Sequence, residues 1–104
     1  MTSAPDAIAR IDTRLAQLAA SGTSFVGSVH LHCTDDGLAP GRGEWLIRGA
    51  DDAVTLTREH AKGDAAMRGS AAGLLGVLDG QAGLDTIDVI GDPAAVEALL
   101  RALA

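Results

Sequence analysis

The stretch Ser24 to Asp35, Ser-Phe-Val-Gly-Ser-Val-His-Leu-His-Cys-Thr-Asp, is the longest run of strict alternation in the chain. Alternation is the period of a strand, whose successive side chains point to opposite faces. Phe25, Val29, Leu31 and Cys33 fall on one face, and Val26, Ser28, His30 and His32 on the other. The first set suits a core and the second is chemically open. The stretch reads as a strand in the middle of a sheet.

The flanking segments supply the rest of such a sheet. Ser3 caps a first helix with Pro5 and Asp6 in its first turn, Ile8, Ile11, Leu15 and Leu18 as its buried stripe, and Ser21-Gly22 as its stop. After the central strand, Asp36 to Gly43 is a loop too rich in Gly and Pro for regular structure. Glu44 to Arg48 is a second strand, Gly49-Ala50-Asp51-Asp52 a turn, and Ala53 to Arg58 a third strand, together an antiparallel meander. A charged crossing, Arg58 to Asp64, leads to a short fourth strand over Ala65 to Arg68. Ser70 caps a second helix, Thr86 to Ile90 is a fifth strand, and Gly91-Asp92-Pro93 opens a final helix lined by Val96, Leu99, Leu100 and Leu103. The expected fold is α+β: a five-stranded mixed sheet with helices packed on one face.

At 104 residues the chain is expected to be one domain. Its only aromatic residues are Phe25 and Trp45, so the core is built from small aliphatic side chains. A formal charge of −6, with eight scattered Lys and Arg, argues against a nucleic-acid partner, because phosphate backbones require clustered cations. No apolar run approaches the roughly 20 residues that span a bilayer. The lone Cys33 excludes an internal disulfide, and the N-terminus lacks the pattern of a signal peptide, so a cytoplasmic location is expected.

Several runs resemble a known family: Val29 to Asp35 (Val-His-Leu-His-Cys-Thr-Asp), Gly43 to Leu46 (Gly-Glu-Trp-Leu), Thr57 to Asp64 (Thr-Arg-Glu-His-Ala-Lys-Gly-Asp), Met67 to Gly69 and Val89 to Asp92. From Phe25 onward the chain resembles the C-terminal domain of the mycothiol-dependent maleylpyruvate isomerase family, which is similar to the sterol carrier protein type 2 fold. The resemblance implies that element order. In the family a helical domain ahead of this one supplies the metal-binding histidines. The single N-terminal helix here leaves no room for it, so no cofactor is expected, and mycothiol only with a separate helical metal-binding chain. The relatives' aromatic, Gly, Arg triplet at the end of the second helix corresponds here to Asp79-Gly80-Gln81.

Candidate site residues follow from the open face. His30 and His32 project from one strand face about 7 Å apart, a spacing that holds a metal ion between two imidazoles if Glu44, Glu59 or His60 supplies a third ligand. Two histidines alone fall short of a site, and the favoured reading is a polar, partner-facing surface with no metal. Arg58, Glu59, His60, Lys62 and Asp64 form either the polar mouth of a cavity or a solvated connection. Arg68 either pairs with Asp64 or Asp88 or meets an anionic ligand. Gly73, Gly76 and Gly80 mark close approach to the second helix, by a ligand or by packing. Cys33 points away from the histidines as a buried thiol. No phosphate loop, dinucleotide fingerprint, nucleophile elbow or thiol-redox pair is present.

The expected function is a sterol-carrier-like binding module that holds a small apolar or amphipathic molecule, or docks a second copy or a separate chain, through the face bearing His30, His32, Thr55 and Thr57. The alternative is an accessory component of a thiol- and metal-dependent isomerase or transferase, with Arg48 or Arg68 binding a substrate carboxylate. No catalytic residues are assigned.

Overall fold

The computed structural model describes residues 3–50 and 52–104. Helix α1 (Ala4–Ala20) is followed by strands β1 (Gly27–Cys33), β2 (Glu44–Ala50), β3 (Ala53–Thr57) and β4 (Ala65–Gly69), helix α2 (Ala71–Leu78), a 3-10 turn (Leu84–Thr86), strand β5 (Asp88–Gly91) and helix α3 (Pro93–Leu103). The sheet order is β3-β2-β1-β4-β5, which puts the alternating strand at the centre. The β1–β2, β2–β3 and β4–β5 pairs are antiparallel and the β1–β4 pair is parallel. The parallel pair requires a crossover, and the chain supplies it with residues 58–64, here called the strap.

Local chemistry explains the element ends. The Ser3 side chain accepts the Asp6 amide at the start of α1, Ser70 that of Gly73 in α2, and Asp92 that of Ala94 in α3, each satisfying an otherwise orphaned donor. A second cap comes from a distance: Asp35 Oδ1 accepts the Ala71 amide at 2.7 Å, so the acid pair after β1 serves the helix following β4.

The register lines up one apolar layer. Val29 lies between Ile47 and Ala65, and Leu31 between Trp45 and Met67; Leu56 and Val89 extend the layer outward. Onto it pack Ile8, Ile11, Leu15 and Leu18 of α1, Leu74 and Leu78 of α2, and Val96 and Leu99 of α3. Burying each such side chain contributes about 1.5–3 kcal/mol before chain entropy is subtracted.

Three expectations need correction. The central strand is shorter than its alternating run: it begins at Gly27, whose φ of +125° breaks extended geometry, and Val26 before it is 84% exposed. The fifth strand begins at Asp88, because Leu84–Thr86 close a 3-10 turn. Gly80 is outside α2; it follows the helix in the left-handed region and has no heavy atom within 4 Å of where a Cβ would stand. A Cβ at Gly73 would stand 3.0 Å from the capping Ser70 Oγ and 3.7 Å from Ile87, and one at Gly76 3.5 Å from Ala82, the last two being ordinary packing distances. In the turn between β2 and β3, Asp51 lies outside the described residues.

Candidate binding site on the open sheet face

Away from the helices, three rows of side chains cross the sheet. Thr57, Leu46, His30, Ala66 and Ile90 form the middle row; Glu44, His32, Arg68 and Asp88 lie on one side of it, and Thr55, Arg48 and Ser28 on the other. Strand period brings His30 and His32 to this face, and the antiparallel register sets Glu44 directly opposite His32.

The strap then lays His60 over the same spot. His30 Nε2 is 3.0 Å from Glu44 Oε1, His32 Nδ1 is 2.9 Å from it and His60 Nδ1 is 2.6 Å from it. The three rings stand nearly perpendicular to one another, with interplanar angles of 77–88°. One ligand atom from each of the four residues can be chosen so that all lie within 4.8 Å of one another. The cluster is graded in exposure, from 9% for the His30 side chain to 72% for that of His60.

Burial presses the Glu44 carboxyl toward the neutral form, but its hydrogen bonds to His60 and His30 outweigh that and leave its pKa below the ordinary 4.5. Burial lowers the pKa of His30 below 6.5 against the pull of Glu44.

Both ends of the strap are pinned. At its start Arg58 grips Asp12 of α1 with Nε to Oδ1 at 2.6 Å and a second nitrogen to Oδ2 at 3.0 Å, while the Trp45 indole N–H donates to the same Oδ1 at 3.0 Å. At its end the Asp64 amide donates to Ser28 Oγ, and Asp64 Oδ2 accepts the Ser28 amide. Gly63 runs so close to β1 that an added Cβ would stand 3.0 Å from the Ser28 carbonyl oxygen. His60 thus belongs to a short segment held at two points.

Beside the cluster a groove of about 380 Å3 runs between the strap and the β4–β5 pair. His30, His60, Lys62 and Asp64 line it together with Ala66 and Ile90, its lining is mostly apolar, and Ile90 is 52% exposed.

Of the residues singled out in the sequence, His30, His32, Glu44 and His60 are brought together. Thr55, Thr57, Arg48 and Arg68 share the face but do not contact Glu44, and Glu59 is exposed on the strap outside the cluster. Arg68 forms no ion pair with Asp64 or Asp88; among the described residues the carboxylate of Asp64 is taken by Ser28. Asp79 pairs with Arg14 at 3.2 Å and ties α1 to the end of α2. Cys33 lies buried on the opposite face, and burial raises its thiol to about 12. Sequence reasoning missed Asp12 as an anchor of the strap, Ser28 as its second anchor, and Ala66 and Ile90 as groove wall. The one available signal was Asp12 itself, an acid set beside the apolar stripe of α1.

No protein-family description matches the chain, and no curated protein matches it. Among solved structures, the crystal structure of sterol carrier protein 2 is 17% identical, with a TM-score of 0.51 over 91% of this chain and 93% of that one. The chain has the sterol-carrier fold. The solution structure of a conserved hypothetical protein from Thermus thermophilus, described as possibly a sterol carrier protein, is also 17% identical, with a TM-score of 0.48 over 93% of this chain and 78% of that one. The likeness to sterol carrier protein 2 extends to the fold. No helix among the described residues is long and apolar enough to cross a membrane.

Proposed function

We propose that this protein is a binding module that takes a small amphipathic molecule on the open face of its sheet, in the groove between the strap and β4–β5. The groove itself carries the reading: its volume, about 380 Å3, falls in the range of small-molecule sites, and its mostly apolar lining includes the polar residues His30, His60 and Lys62. An apolar body would lie on Ala66 and Ile90 while a polar or anionic head faces His30, His60 and Lys62. On the helix side of the sheet, Val29, Leu31, Ile47, Met67, Leu74 and Leu99 are fully buried against one another, which favours the outer face as the place for a ligand.

Decanoate is a suitable probe, having one carboxylate and one alkyl chain. Titrated into labelled protein, it is expected to shift the amide resonances of Lys62, Gly63, Ala66 and Ile90, and Ala66→Phe should abolish the shifts by filling the groove. Shifts confined to α2 and α3, or none at all, overturn the reading.

A second reading, docking of a separate chain, is favoured by Arg48 and Arg68. Both are exposed on this face and neither has a carboxylate within 4.0 Å among the described residues. An acidic surface, such as that of a separate thiol-dependent enzyme chain, would complement them. Loss of such a complex in Arg48→Ala and Arg68→Ala, with decanoate binding intact, would separate the two readings.

A further inference from the structure

Three imidazole nitrogens crowd a single carboxylate oxygen in this protein, at 2.6, 2.9 and 3.0 Å. A carboxylate oxygen offers about two lone pairs, so three nitrogens on Oε1 exceed what hydrogen bonding to that atom can satisfy. Four donor groups converging from β1, β2 and the strap are the arrangement expected around a point charge.

We propose that His30, His32, His60 and Glu44 form a binding site for a divalent transition-metal ion of the Zn2+ class. Zinc takes imidazole nitrogen and carboxylate oxygen at about 2.0–2.2 Å, which puts tetrahedral ligands about 3.4 Å apart. The four donor atoms here span up to 4.8 Å, with the distances to Oε1 somewhat under the tetrahedral value. Coordination would require the closest pair to open by about 0.8 Å and the widest to close by up to about 1.4 Å. The mutually perpendicular rings suit it, since imidazoles around one ion approach along different directions.

The donor set also selects the metal class. Three nitrogens and one oxygen without thiolate suit Zn2+, Co2+ or Ni2+ over Cu(I) or an iron–sulfur cluster, because Cys33 lies in the core on the helix side of the sheet. Calcium and magnesium require oxygen-rich sites, and Glu44 is the single carboxylate in this set. His30 and Glu44 are largely shielded while His60 is exposed, so an ion enters from the strap side and is closed in by the last ligand. The ion pair of Arg58 with Asp12 and the Ser28–Asp64 pair hold the segment carrying His60 in place before any ion arrives.

The site does not rest on the groove reading, since only His30 and His60 are common to both. Untagged full-length protein, stripped with chelator, is titrated with Co2+ as an optical probe and then with Zn2+ in competition. One equivalent should bind with the intense visible bands of a four-coordinate centre, and Zn2+ should displace it. His60→Ala, which alters an exposed strap residue, and Glu44→Gln should each weaken binding by more than about 100-fold, beyond the 10–100-fold that outer-shell partners are worth. Glu59→Ala should match the parent protein. Ala66→Phe should keep metal affinity while losing decanoate, so that failure of one reading is not mistaken for failure of the other. Absence of Co2+ binding in the parent protein, or binding unchanged in both folded ligand variants, shows a carboxylate–imidazole network only and overturns the proposal.

Discussion

Ser28 and Asp64 hold each other reciprocally: the Ser28 amide donates to Asp64 Oδ2 at 3.1 Å, and the Asp64 amide donates to Ser28 Oγ at 2.9 Å. One side chain from the central strand and one from the strap each satisfy the other's backbone, and the parallel strand β4 begins immediately afterwards. Ser28→Ala removes one half of this exchange and leaves the Asp64 amide without its acceptor. The expected cost is about 1–2 kcal/mol, read from urea unfolding. Hydrogen exchange at Asp64 should accelerate more than at Met67, which lies in the buried part of β4.

Asp12 gives the fold an acid-sensitive fastening. The hydrogen bond from the Arg58 guanidinium holds its carboxyl below the ordinary 3.8 against a weaker upward push from burial, and the Trp45 indole adds a smaller lowering of its own. A depressed folded-state pKa contributes stability that is complete above about 3.8 and disappears as pH falls through the lower folded value. Asp12→Asn should therefore be less stable than the parent at neutral pH, with the difference shrinking below pH 3.8. Thermal unfolding across that range measures it. An unchanged acid limb in the variant would count against the pair.

Cys33 should resist alkylation in the folded state. Its thiol is buried in the core and raised to about 12, so at pH 8 the thiolate fraction is about one in ten thousand. Iodoacetamide labelling, followed by mass, is expected to be negligible in buffer and complete in concentrated urea. Rapid labelling of the folded protein would contradict the placement of Cys33.

Gly91 joins β5 to α3 with φ of +87°, and a Cβ there would stand 2.5 Å from the carbonyl oxygen of Asp64. Gly91→Ala combines an unfavourable backbone conformation with a clash against main chain that cannot rotate away. The expected loss exceeds about 1 kcal/mol, the usual scale for non-glycine residues in left-handed geometry. Equilibrium unfolding should show it, and since Asp64 is the neighbour displaced, exchange at the Ser28 amide should rise as well.

Much of the fold was legible because its signals are local. The alternation of Val29, Leu31 and Cys33 against Ser28, His30 and His32 places β1, and its two-faced character agrees with a central strand covered by helices on one side. Ser3, Ser70 and Asp92 mark helix starts through their own side chains, and each makes the cap it advertises. The site was legible only as a set of candidates. His30 and His32 share a face by period alone, but their meeting with Glu44 depends on hairpin register across a long loop, and the meeting with His60 depends on how the strap crosses the sheet. Neither is written in residue spacing. Gly80 was misplaced for a related reason: a glycine just past a helix end and one inside it look alike until the last turn is fixed.

The link between Asp12 and Arg58 ties α1, on the covered side of the sheet, to the segment that aims His60 on the uncovered side. The first helix thus shares one anchor with that segment, at the start of β2 where Trp45 donates to the same carboxylate. A molecule that pries α1 outward would swing His60 away from Glu44 without touching either residue. Conversely, an ion that captures His60 would tighten the seating of α1 on the opposite layer.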